Sequence, residues 1–151
     1  MKAKELDKYR YAEKCLYEYK RNLAGLKVLR EDLRVLQAGT DVHAQNYQLT
    51  FGFSGTVSDP VHARLVKIEK LEERIKWLER VTKPIELLMS DLTAPEVLEY
   101  SNSKGLMEIL RLVYFGQNPA EAVMEELKIA RRTFYRQRRE LVNMTISYLA
   151  L

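Results

Sequence analysis

A single cysteine, Cys15, leaves the sequence no internal disulfide, a usage compatible with a reducing compartment. Histidine is almost as scarce: His43 and His62 stand far apart, and with one cysteine they make no metal-ligand spacing, so no metal is expected. Long apolar runs are missing as well. None approaches the ~18 to 20 residues that cross a bilayer, so no membrane partner is expected. The opening Met1-Lys-Ala-Lys-Glu-Leu-Asp-Lys8 is charged from the start, unlike a secretory leader, and the expected location is the cytoplasm. A nucleophile beside an aligned base is also absent. The acids alternate with lysines as surface pairs, so neither an enzyme nor a cofactor is expected, and no residue is singled out as catalytic.

The 151 residues are 46% hydrophobic and 30% charged, which fits a folded, helix-rich chain of one ordinary domain or two small ones. Apolar positions recur at Tyr9, Ala12, Leu16, Tyr19, Leu23, Leu26, Leu29, Leu33 and Leu36. Steps of three and four predict one long amphipathic helix over roughly residues 3 to 37, with Gly25 tolerated inside it and Gly39 closing it. Between 38 and 58 the period is lost; the alternation Tyr47, Leu49, Phe51, Phe53 has no evident partner strand, and a loop is expected.

Ser58-Asp59-Pro60 reads as a helix start, and a heptad follows it. Ile68, Ile75, Thr82 and Met89 fall on one position, with Leu71, Leu78, Ile85 and Leu92 on the other. Pro84 inside this run predicts a kink or a split near Thr82. Thr93-Ala-Pro-Glu96 predicts a short helix to about Tyr100, and Asn102-Ser103 a second one from Lys104 to Phe115, ended by Gly116. Its apolar face is Leu106, Ile109, Leu110 and Val113. Asn118-Pro119-Ala-Glu121 gives a cap, a first-turn proline and an acid for the next helix.

From Lys128 to Arg139 there are six basic residues and no acid; against a net charge of +4 for the whole chain, everything else sums to −2. Positive charge concentrated on one element is what a surface for nucleic-acid phosphates requires. A helix of about nine residues, a turn of three or four and a second helix basic in its opening turns is the helix-turn-helix arrangement. Phe134, Leu141, Thr145 and Tyr148 would face inward, joined by Ala122, Val123, Leu127 and Ile129. Arginine forks suit guanine edges and phosphates, each good two-point base contact giving roughly 1 to 3 kcal/mol of discrimination. By position, Arg131, Arg132, Thr133 and Arg136 are assigned to base edges, and Tyr135, Arg138 and Arg139 to the backbone; Lys128 is a further DNA-binding candidate. Met124 and Phe134 read as core, and His62 as a surface residue.

Two segments resemble the phage and prophage late-gene transcriptional regulators of the RinA and ArpU type, whose C-terminal part is similar to region 4 of sigma factors. They are Gly55-Thr-Val-Ser-Asp-Pro-Val61 and Leu127-Lys-Ile-Ala-Arg-Arg-Thr-Phe-Tyr-Arg-Gln-Arg-Arg-Glu-Leu141. The resemblance implies a bacterial host, a C-terminal DNA-binding unit, and activation of late packaging, structural or lysis genes together with RNA polymerase. The chain departs from that pattern at Ala130, where the family carries a capping serine or threonine; the loss is ~1 kcal/mol of capping.

The expected architecture is all-α: a coiled-coil-like hairpin over residues 1–92 with a loop at 38–58, then a helix-turn-helix unit over 93–151. The expected partner is double-stranded DNA, with RNA polymerase or a homodimer supplying further affinity; Tyr11, Leu29, Val35, Val66 and Val81 are the candidate dimer surface. A small-terminase-like packaging protein and a helical interaction module without a DNA role are the alternatives.

Overall fold

The computed structural model describes residues 2–47, 60–94, 96 and 102–151. Among the described residues five α-helices can be bounded: α1 (Ala3–Tyr47), α2 (Pro60–Thr93), α3 (Ser103–Ile109), α4 (Ala120–Leu127) and α5 (Arg131–Tyr148). A π-helical segment, Leu110–Phe115, continues α3. No strand occurs among the described residues, so the chain is all-α.

Three sequence expectations change. Gly39 does not close α1, which runs on to Tyr47; the Gly39 carbonyl instead accepts a hydrogen bond from Arg64 Nη1 at 2.8 Å. One interior glycine costs about 1 kcal/mol, too little to end a long helix packed on a neighbour. Pro84 does not split α2, because Val81, Thr82, Ile85 and Leu88 are buried on either side of it and that packing outweighs one lost backbone bond. The loop expected at 38–58 is helical to Tyr47; Leu49, Phe51, Phe53, Ser58 and Asp59 lie outside the described residues, as does most of the short helix expected to end at Tyr100.

The chain divides into two compact units, and the division cuts through both long helices. One unit is Leu23–Glu79. Leu26, Ile75 and Leu78 are its buried centre, with Leu29 and Leu33 half-covered against them. Arg30 pairs with Glu79 at 2.9 Å while Gly39 meets Arg64, so numbers rise along one helix as they fall along the other. The pair is antiparallel, and its buried α2 residues, Ile75 and Leu78, stand on the two heptad positions.

The other unit joins Met1–Asn22 to Arg80–Leu151. The units do not follow the boundary expected near residue 92, and the packing gives the physical reason. Ala12, Leu16 and Tyr19 of α1 and Val81, Ile85, Leu88 and Leu92 of α2 are buried in the same unit as Ile109, Leu110, Tyr114, Val123, Phe134, Leu141 and Val142. Val81 and Leu88, outside the heptad positions, widen the α2 stripe, as a helix with several neighbours requires. In the π segment the Gly116 N–H reaches back five residues to the Arg111 carbonyl, at 2.8 Å. Two consecutive rings then both meet α1. Tyr114 sets its ring edge-on to Tyr17 at 4.7 Å, and Phe115 stacks on Tyr19 at 5.1 Å. Helix α3 approaches α5 so closely that a Cβ on Gly105 would lie 2.7 Å from Gln137 Nε2.

Candidate nucleic-acid interface

Helix α4 is eight residues long and opens on Pro119 in extended backbone at the cap position. Asn118 is not its cap: the Asn118 Nδ2 donates instead to the Leu112 carbonyl at 3.0 Å, tying the turn to the π segment. Asn102 holds the cap position of α3 but makes no side-chain capping bond. Helix α4 ends on Lys128 in the left-handed region (φ 53°), and the Ile129 N–H returns to the Met124 carbonyl at 3.1 Å. Three residues, Lys128 to Ala130, therefore turn the chain from α4 into α5. Ala130 is extended and offers no side-chain cap, so the first-turn amides of α5 keep their donors for another acceptor, at the positive end of the helix dipole.

Helix α5 has two faces. Phe134, Leu141, Val142 and Thr145 are fully buried, and Gln137 nearly so. Tyr148 is half-buried, its hydroxyl on Asp91. From α4, Val123 enters the core, Leu127 is half-buried and Ala122 is exposed rather than inward; Ile129, in the turn, is half-buried too. On the opposite face Arg131, Arg132, Tyr135, Arg136 and Arg139 are exposed, Thr133 is half-buried at the edge, and Lys128 is exposed in the turn. The Arg131 guanidinium lies 5.6 Å over the Tyr135 ring, which in turn sits edge-on to Phe134 at 5.1 Å. Tyr135 is thus braced between a surface cation and the core. A concavity of about 740 Å³ runs along this face, lined by Arg132, Tyr135, Arg136, Arg139, Glu140, Asn143, Met144 and Ser147. Those positions repeat at three and four, a single stripe of the helix.

Arg138 is the exception among the sequence-assigned residues. It turns inward, and its guanidinium is taken up within the protein. Nη2 and Nε both donate to Glu13 Oε1, at 2.5 and 3.0 Å; Nε also reaches the Tyr114 hydroxyl at 3.2 Å. Tyr114 donates to the same carboxylate oxygen at 2.9 Å, and the Tyr17 hydroxyl lies 3.4 Å from Nη2. Burial foremost, reinforced by the Glu13 charge, holds the Tyr114 hydroxyl far above the usual tyrosine range. Burial works against the Arg138 charge, but the bonds to Tyr114 and Glu13 outweigh it and keep the side chain cationic. Arg138 consequently positions α5 rather than holding a phosphate. Its partners stand 125 and 24 residues away in sequence, so no local pattern marks them.

Of the proposed dimer residues, Tyr11 and Val35 are exposed, Leu29 and Val66 are half-buried, and Val81 is core and so unavailable. No helix among the described residues is long and apolar enough to cross a membrane, and no group of metal-ligating side chains occurs among them. No protein-family model, curated protein or solved structure matches the chain.

Proposed function

We propose that the protein is a sequence-specific DNA-binding regulator of transcription and not an enzyme, with α5 as the helix that enters the major groove. The observation that carries this reading is the free face of α5. Arg131, Arg132, Arg136 and Arg139 are exposed there, directly after a short helix and a three-residue turn, while the opposite face is packed. Residues at the start of such a helix reach base edges, and arginine is the side chain best shaped to read guanine. Arg131, Arg132, Thr133 and Arg136 take the base edges; Arg139, Tyr135 and Lys128 take the flanking phosphates, aided by the uncapped first turn. The resemblance to phage late-gene activators makes late promoter DNA the target and RNA polymerase the accompanying partner.

The test is binding to DNA around the protein's own gene and the operon downstream, against a shuffled control, across a salt series. A regulator prefers one fragment by ~10³ or more near physiological salt, and Arg136→Ala removes most of that preference. Equal, steeply salt-sensitive binding to every fragment would instead favour a packaging protein. No binding to any fragment would leave a helical interaction module.

A further inference from the structure

We infer that α1 carries a second row of phosphate contacts beside the reading helix, formed by Arg10 and Lys14 with Arg21 at its far end; this rests on the DNA-binding reading above. The register of α1 against α5 follows from their own contacts. Glu13 and Tyr17 meet Arg138, Tyr9 lies within the electrostatic reach of Arg138 and Arg139, and Glu5 and Tyr9 share a hollow with Asn143 and Ile146. Numbers rise along α1 as they fall along α5, so the two helices run side by side and antiparallel.

The core lies on one side of this pair. Ala12, Leu16 and Tyr19 turn towards it from α1, Phe134 and Leu141 from α5. On the other side α5 presents Arg132, Arg136 and Arg139. On α1, at about 100° per residue, Arg10, Lys14, Tyr17 and Arg21 fall within a stripe some ~60° wide, turned past Glu13 and away from Ala12, Leu16 and Tyr19. All four are exposed. The two basic rows therefore share one surface, about 8 to 10 Å apart, the spacing of packed helices. The major groove is about 12 Å wide, so a helix seated in it sets its packed neighbour over the adjoining sugar–phosphate backbone.

The acids near this row do little to cancel it. Glu13 is already engaged by Arg138. Glu18 pairs with Arg21 at 2.8 Å, which weakens Arg21 as a contact and leaves Arg10 and Lys14 as the principal ones. Asp7, exposed, bounds the row at its N-terminal end. Contacts of this kind position the protein on any duplex without reading its sequence.

The experiment compares the full chain with its Arg10→Ala/Lys14→Ala variant on a preferred and an unrelated fragment across a salt series. A Lys70→Ala/Lys76→Ala variant, which removes the same charge from the other unit, is the control. The expected result is a slope of log affinity against log salt shallower by about 2, with both fragments weakened by the same factor and the preference between them unchanged. The charge-conserving Arg10→Lys/Lys14→Arg variant keeps the original slope. A slope no different from the control overturns the row, and so does a changed preference, which would put these residues on bases. If the unaltered chain binds neither fragment, the DNA reading falls and the row falls with it. If it binds with a preference and only the α1 variant is silent, the row alone falls.

Discussion

Between Leu23 and Glu79 the long helices meet along a seam in which Leu26, Ile75 and Leu78 are buried and Leu29 and Leu33 are only half-covered. In the unit of residues 1–22 and 80–151 the same two helices are packed with α3, α4 and α5, and Leu16, Ile85, Leu88, Ile109, Leu110, Phe134 and Leu141 are at most 1% exposed. The same amphipathic repeat thus supports a two-helix contact in one place and a multi-helix core in the other. Stability should follow this difference. Phe134→Ala should cost about 3 to 5 kcal/mol, because a fully enclosed ring leaves a cavity its neighbours cannot fill. Leu78→Ala should cost nearer 2 kcal/mol, since half-exposed neighbours can close over the gap. Denaturant unfolding gives the totals, and hydrogen exchange should show the Leu23–Glu79 amides opening first in the unaltered chain. Equal losses and uniform exchange would erase the distinction between the units.

The second way to break the comparison lies within the larger unit, between two arginines two positions apart. Glu13→Ala leaves the Arg138 guanidinium without its counter-ion at a site where the two side chains are only 24% and 20% exposed. Removing one partner of a deeply buried pair costs 3 to 5 kcal/mol, and the residual solvent access reduces this to about 2 kcal/mol. Adding Arg138→Met should recover part of that loss, because the orphaned charge goes with it. Arg136→Ala, on the exposed face, should stay within about 0.5 kcal/mol while altering DNA preference. A double-mutant cycle showing simple additivity for Glu13 and Arg138 would remove the positioning role.

Much of the fold was legible in the sequence, because periodicity records which face each helix buries. All nine positions from Tyr9 to Leu36, and all eight heptad positions from Ile68 to Leu92, are buried or half-buried. Periodicity does not record how many neighbours a helix has, so it gives no sign that Val81 and Leu88 are core or that the division between units runs through both long helices. Gly39 and Pro84 look like breaks when propensity is read alone, and packing overrode both. On the candidate site the exposed arginines were recognisable from charge and spacing. Arg138 was not separable from them, because its inward turn depends on Glu13 and Tyr114, which only the tertiary fold brings near.

A smaller effect separates the buried hydroxyl of Tyr114 from the exposed tyrosines. Tyr114→Phe keeps the ring on Tyr17 and removes a donor that Glu13 shares with Arg138, so it should cost about 1 kcal/mol near neutral pH. The pH dependence has a definite sign. Burial raises the folded-state pKa above the ordinary 10.0, so above that pH the unfolded chain loses a proton that the folded chain keeps. Unaltered protein should therefore lose stability as pH rises past about 10, by up to about 1.4 kcal/mol per unit from this one group. The Tyr114→Phe protein should fall less steeply over the same range, although Tyr9 and Tyr19, also raised by burial, contribute their own decline. Parallel alkaline curves for the two proteins would show that Tyr114 ionises freely in the folded state.

The smallest expected change sharpens the comparison with one substitution made in both units. Gly25 and Gly105 each lie inside a helix, where alanine is intrinsically better by about 1 kcal/mol. At Gly25 an added methyl group would meet only Leu78 Cδ1, at 4.0 Å, an ordinary contact on the two-helix seam. Gly25→Ala should therefore stabilise the Leu23–Glu79 unit by about 0.5 to 1 kcal/mol, seen as slower hydrogen exchange there. At Gly105 the same methyl group would come within 2.7 Å of Gln137 Nε2, on a side chain only 8% exposed between α3 and α5. The amide must shift to admit it, and the cost of that shift offsets the helix preference, so Gly105→Ala should gain nothing or lose up to about 1 kcal/mol. Because Gln137 precedes Arg138 on α5, a shift there should also slightly weaken the grip on Glu13. Equal gains at both glycines would mean that the α3–α5 contact yields as readily as the exposed seam, and the larger unit would then lack the close packing that holds its basic helix in place.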